Sequence, residues 1–147
     1  MNELRQLTRR ECLRLLGSAQ IGRLGFCEDA LPTIRPVNFA LHGTDIIVRT
    51  MAGGAISKVA GAVVAFEVDD IDAATHTGWS VVVIGKAEPV TQIDTLVTLA
   101  DPVRRPWAPG ERSCFLRIRV ELVSGRRLTA APDATAGMTP SRRGDRQ

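Results

Sequence analysis

Much of the chain between Ile21 and Val123 is written in short runs whose apolar residues fall at alternate positions, each closed off by turn residues. Ile34 to Leu41 sets Val37, Phe39 and Leu41 on one side and Asn38 and Ala40 on the other. Cys114 to Val123 sets Leu116, Ile118, Val120 and Leu122 against Arg117, Arg119 and Glu121. A period of two is that of a pleated strand with one packed face and one wet face. Ile21–Phe26, Asp45–Thr50, Ala62–Val68 and Trp79–Val90 read as further strands, and Glu28–Pro32 and His42–Asp45 as turns between them. Ala62 to Val68 is nearly all apolar, which predicts burial on both faces. Gly85 marks a bulge or bend in the longest run. About six antiparallel strands in one small domain are most economically closed into a barrel, because closure removes exposed edges.

Helical signals are few. Thr8-Arg9-Arg10-Glu11 has capping-box spacing, Cys12, Leu15 and Leu16 share a helical face, and Gly17 is a natural stop. Ala55–Ala60 has room for one or two helical turns, and Gln92–Ala100 carries helical spacing in Ile93, Leu96, Val97 and Leu99. Asp69–Thr77 reads as a polar connection and Asp101–Arg112 as a loop rich in proline, arginine and glycine. From Ala130 onward, periodicity is lost. The expected organisation is a mainly β (α+β) domain over residues 1–129, with two or three short helices, and a disordered tail over 130–147.

Composition narrows the function. At 147 residues the chain is one domain by length, with 44% hydrophobic and 24% charged residues. Charged or polar residues interrupt every apolar run before the roughly 18 residues needed to cross a bilayer, and Met1–Gln6 lacks the apolar centre of a signal peptide. A cytoplasmic protein without a membrane role is expected. The three cysteines, Cys12, Cys27 and Cys114, are odd in number and far apart, and neither His42 nor His76 lies near one, so reduced thiols and no metal are expected. The net charge of +3 is dispersed in arginine doublets, and aromatic residues make up only 4% of the chain. That combination argues against nucleic-acid binding, which relies on a basic stripe and stacking platforms.

No nucleophile elbow, Walker loop, dinucleotide fingerprint or evident carboxylate pair is present. Four segments attract notice instead. Gly22-Arg23-Leu24 places an arginine in an apolar strand, on the wet face or against a ligand. Arg35-Pro36-Val37-Asn38-Phe39 has a proline within a strand, either an edge or a place where freed backbone groups meet a ligand. Arg49-Thr50, followed by Gly53-Gly54 and then Ser57 and Lys58, is either an anion cradle or an ordinary strand-to-helix turn. Thr77-Gly78-Trp79-Ser80 brings a tryptophan into a long strand, as core or as a ligand platform.

Taken in order, "IGRLGF", "LPTIRPVNFAL", "IIVRTMAGG", "VVAFEVDDID" and "TGWSVVVIGKAEPV" resemble the pyridoxamine 5′-phosphate oxidase-like family of flavin-binding split barrels, in particular its small actinobacterial members. The resemblance covers roughly residues 8 to 123. It implies a six-stranded antiparallel split barrel forming a homodimer, with flavin mononucleotide (FMN) in grooves between the subunits. It places Arg35, Pro36, Val37 and Asn38 along the isoalloxazine ring. Arg49 and Thr50, with Ser57 and Lys58 beyond, would hold the phosphate, and Trp79 and Ser80 would meet the cofactor, from the other subunit in one arrangement. Glu67 is structural in this reading.

Two departures qualify it. Ala55 stands where the family carries a lysine, and the lysine here arrives at position 58. "SGRRLTAAPDATAGM" lacks the basic and histidine residues that take the substrate phosphate in true pyridoxamine phosphate oxidases. The expected function is therefore a flavin-dependent oxidoreductase of unknown substrate rather than a vitamin B6 oxidase. The alternatives are a reductase using the deazaflavin F420, or a non-enzymatic flavin or haem binder with His42 or His76 as the available imidazoles. The substrate is expected near Asp101–Arg112, with Trp107 and Arg104-Arg105.

Overall fold

The computed structural model describes residues 2–51, 53–91 and 113–130. Its elements in chain order are β1 (Asn2–Gln6), α1 (Arg9–Gly17), β2 (Ile21–Glu28), β3 (Leu31–His42), β4 (Asp45–Met51), a 3₁₀ turn (Ile56–Val59), β5 (Val63–Asp72), β6 (Thr77–Pro89), β7 (Ser113–Ile118) and β8 (Leu122–Ala130). All strand pairs are antiparallel. The order β6-β5-β2-β3-β4-β7 closes on itself because β7 also pairs with β6, giving the expected six-stranded barrel. β8 and β1 extend the sheet outward from β6.

Local chemistry accounts for these elements. Thr8 caps α1: its hydroxyl accepts from the Glu11 amide at 3.2 Å, and the Glu11 carboxylate accepts from the Thr8 amide at 3.3 Å. Two residues with left-handed backbone, Asp29 (φ 50°) and Ala30 (φ 65°), join β2 to β3, as a tight hairpin matched to strand twist requires. The β6 strand changes partners partway along. Residues 77–86 pair with β5, and Ala87 to Pro89 pair with β7. Gly85 sits at that bend, where a side chain would run into the Arg119 carbonyl.

The barrel interior is filled by Leu24, Ile46, Val48, Phe66, Val68, Val81, Val83 and Ile118, all at most 2% exposed. Phe66 and Phe39 meet edge to face, with centroids 4.8 Å apart and rings inclined at 71°. Gly22 leaves the space that the Phe66 ring occupies. Cys12 and Leu16 of α1 are fully buried, with Cys12 against Gly125 of β8.

Several expectations need correction. Asp69–Thr77 is not a loop: β5 runs to Asp72, whose carboxylate accepts from the amides of Ala74 and Thr75 and so ends the strand itself. Ala55–Ala60 does make about one helical turn, in 3₁₀ form over Ile56–Val59. The run Cys114–Val123 is two strands, because a turn in which the Glu121 amide donates to the Arg119 carbonyl separates β7 from β8. β8 then continues to Ala130, and β1 pairs along it. The segment Ala62–Val68 is not buried on both faces. Val64, Phe66 and Val68 point inward, while Val63 is 66% exposed. The helix expected at 92–100, the loop at 101–112 and all of the tail expected over 130–147 except Ala130, which ends β8, lie outside the described residues. Among those described, no helix is long and apolar enough to cross a membrane.

Candidate functional site

The barrel is open along one seam. The β3–β4 ladder has its last rung at Phe39↔Val48. Past it, β3 continues against β2 only (Asn38↔Ile21 back to Leu31↔Glu28), and β4 continues against β7 only (Arg49↔Phe115 to Met51↔Ser113). Two strands that part while each keeps its other neighbour leave a split whose inner edges lack rungs. The amide of Phe39 donates to the Gln20 carbonyl, toward β2. By the alternation of an antiparallel strand, the backbone groups of Asn38 and the carbonyl of Pro36 therefore face the split. Proline has no amide to lose there, which is why the strand tolerates it.

A groove of about 430 Å³ fills this split. It is lined by Arg35, Pro36, Val37 and Asn38 from β3, Arg49, Thr50 and Met51 from β4, and Gly54, Ala55 and Ile56 from the segment that closes it. Two arginines, one asparagine and one threonine thus share the lining with five apolar residues, and no acidic residue among those described lines it. The arrangement suits an anion carrying a flat apolar body: arginine offers a rigid fork to phosphate, and the aliphatic walls accept a ring face.

The six expected residues on β3 and β4 come together in this groove. The other four do not line it. The Ser57 hydroxyl donates to the Gly54 carbonyl at 2.7 Å, so it ties the 3₁₀ turn together. Lys58 is exposed. In a 3₁₀ turn, side chains three apart eclipse one another, so Lys58 rises over Ala55, which is a wall of the groove. Trp79 and Ser80 lie on β6, opposite Asp70 and Asp69, and the half-buried Trp79 packs against the barrel core. Within one chain they are separated from the split by β5 and β2. Gly54, named in the sequence as part of a candidate anion cradle, lines the groove, whereas Met51 and Ile56 line it without having been singled out, since their role comes from the divergence of β4 from β3.

Arg23 takes the wet-face reading. Its Nη1 donates to Glu67 at 3.0 Å and to Asp69 at 2.8 Å, on the outer face of the sheet. The neighbouring carboxylates, Asp69 first, push the Arg23 guanidinium further toward its charged form. Glu67 is held above the ordinary carboxylate range, chiefly by burial and then by the nearby Asp69, with Arg23 opposing. His42 ends β3 and His76 lies in the β5–β6 turn, and neither lines the groove.

A family model described as pyridoxamine 5′-phosphate oxidase matches residues 8–127. The uncharacterized protein Rv0080 of Mycobacterium tuberculosis is 38% identical over 134 residues, which are 87% of this chain and 88% of that protein. Among solved structures, an FAD binding protein from Mycobacterium smegmatis is 30% identical with a TM-score of 0.75, covering 85% of this chain and 98% of the other. A putative pyridoxamine 5′-phosphate oxidase from Corynebacterium glutamicum is 28% identical with a TM-score of 0.72, covering 88% and 97%.

Proposed function

Because this chain belongs to the pyridoxamine 5′-phosphate oxidase family, we propose that its split-barrel groove binds a flavin nucleotide and that the protein is a flavin-dependent oxidoreductase other than a vitamin B6 oxidase. The observation that carries this reading is the lining of the split, where Arg35 and Arg49 flank a trough walled by Pro36, Val37, Met51 and Ile56. Asn38 and the β3 backbone would meet the polar edge of the ring, and Arg49 and Thr50 the ribityl phosphate. Bound there, the flavin supplies hydride or electron transfer at its ring. The chain's own residues position the ring, hold the phosphate and place positive charge near it. No side chain is needed as an acid or base for that transfer.

FMN is the cofactor expected from the sequence, and the FAD binding of the M. smegmatis protein favours FAD as a second reading. Both share the ring and the first phosphate, the parts the groove can contact. Titrating the purified protein separately with FMN, FAD and F420 while following flavin fluorescence tests the reading. Quenching by FMN or FAD at micromolar concentration supports it. Binding of F420 alone, or of none of the three, overturns it.

We further propose that the protein works as a homodimer that closes this groove. Six of the large hydrophobic side chains left exposed project from one sheet face: Leu4, Ile21, Ile34, Val63, Ile71 and Leu122, each more than half exposed. Register places Ile34, Gly25, Ala65, Ile84 and Leu122 in a single rung across five strands. Five strands at about 4.8 Å spacing and about 26 Å of strand length give a face of roughly 600 Å² in projection, the scale of a standard interface of about 800 Å² per partner. Asn38 of the groove lies directly opposite Ile21 of this face, so the two share an edge. A second copy docked on the face would stand over the groove.

A further inference from the structure

We infer that the Arg23–Glu67–Asp69 cluster makes association of two copies proton-linked, so that the dimer tightens as pH falls. The inference rests on the sheet face being the interface. The geometry is as follows. One guanidinium nitrogen holds two carboxylates, at 3.0 and 2.8 Å. The cluster sits between the apolar rung containing Ile34 and Leu122 and a second apolar rung formed by Leu4, Leu128, Gly78 and Ile71. A second copy covering both rungs must cover the cluster too. With both acids ionised, the cluster carries one negative charge more than its arginine balances. Removing that excess from water is unfavourable, and one proton taken up between the two carboxylates removes it.

Among the described residues, the surroundings offer little compensation within one chain. On β3, Pro36 lies beside Arg23 and carries no charge. On β2, the nearest titratable outward group is Cys27, two outward positions along. On β6, Ser80 and Val82 flank the acids, and Lys86 lies beyond, opposite Val63. On β8, Ser124 shares the Glu67–Val82 rung, and Arg126 shares the Asp69–Ser80 rung with Ser80 standing between them. Glu67 is already the more reluctant acid in the single chain, because of its burial and the adjacent Asp69. Covering it raises it further. Each unit by which association raises it tightens the dimer about tenfold per copy on the acid side of the transition, hence about a hundredfold for two.

The choice of a second copy as occupant is supported by area: the face is on the scale of a standard interface and adjoins the groove where Ile21 opposes Asn38.

Sedimentation of the full chain between about pH 5 and about pH 8 at fixed ionic strength tests the inference. The wild-type dissociation constant should rise at least tenfold across this window. Glu67→Gln and Asp69→Asn, each leaving one acid for one base, should flatten the dependence, and Arg23→Gln, leaving two acids alone, should steepen it. A wild-type constant independent of pH, or a slope that survives both Glu67→Gln and Asp69→Asn, overturns the linkage. A chain that stays monomeric at every pH also overturns it, whether or not flavin binds. Conversely, a pH-dependent dimer that binds no flavin refutes only the cofactor reading.

Discussion

Replacing Arg49 with alanine removes one of the two guanidinium groups that line the split while leaving the β4 ladder to β7 in place, because that ladder is made by backbone. A charge-assisted hydrogen bond to a phosphate is worth about 1.5–3 kcal/mol, so FMN affinity should fall roughly 10- to 150-fold. Lys58 is the informative contrast. It is exposed, stands one 3₁₀ turn beyond Ala55 and does not line the groove. An exposed ammonium at that rim is screened by solvent and contributes at most about 0.5 kcal/mol, so Lys58→Ala should weaken FMN by less than about threefold. Fluorescence titrations should be run with FMN and with riboflavin, which carries the same ring and no phosphate. Arg49→Ala should lower FMN affinity and leave riboflavin affinity within about threefold of wild type. Equal losses for both ligands would mean that Arg49 serves the ring or the fold. A Lys58→Ala loss as large as that of Arg49→Ala would mean that Lys58 reaches back to the phosphate and that the exposed rotamer is not the bound one.

Gly22→Ala drives a methyl group into the fully buried Phe66 ring and should destabilise by about 1–3 kcal/mol, read as a Tm several degrees lower; an unchanged Tm would show that the ring can retreat. Cys12→Ser puts a hydroxyl where a fully buried thiol packs against Gly125 and should cost about 1–3 kcal/mol in urea denaturation. In the native protein, burial pushes the Cys12 thiol up, so alkylation at mildly alkaline pH should modify the exposed Cys27 first and Cys12 only on unfolding. Ile34→Glu sets a charge in the middle of the apolar rung and should yield a folded monomer by sedimentation; a persistent dimer would place the interface elsewhere.

The strands were legible because one side of each is packed. The inward set Leu24, Phe39, Val48, Phe66, Val83 and Ile118 carries the period of two that the sequence displays. What escaped was whatever depends on strand pairing at long range. β1 reads as Asn-Glu-Leu-Arg-Gln, with no apolar period of its own, and is a strand only because β8 is beside it. The break at Arg119–Glu121 leaves the alternation of Cys114–Val123 intact, so no local signal divides β7 from β8. In the site, Arg35–Asn38 and Arg49–Thr50 were recognisable from proline and arginine placed in strands, but that the two segments face each other follows from where the β3–β4 ladder stops. Ser57 looked like a ligand because a hydroxyl near glycines suits an anion, yet the same hydroxyl within reach of the Gly54 carbonyl suits a turn.

Ala62–Val68 is nearly all apolar. A continuous apolar run predicts cover on both faces, and a single chain supplies it on one. The remaining face bears Val63, Ile34 and Leu122 and meets the groove where Ile21 opposes Asn38. Strand β3 therefore belongs to both features: Ile34 lies on the open face and Asn38 on the groove wall, four residues along the same stiff ladder to β2. If a second copy fixes that ladder, it also fixes the groove wall, and thermodynamic reciprocity requires a flavin that prefers the fixed wall to favour the dimer by the same factor. On the proposal of a homodimer, the outward-facing aliphatic residues of β5 and β2 have the same explanation as the split itself: each would be one half of a site that two chains complete.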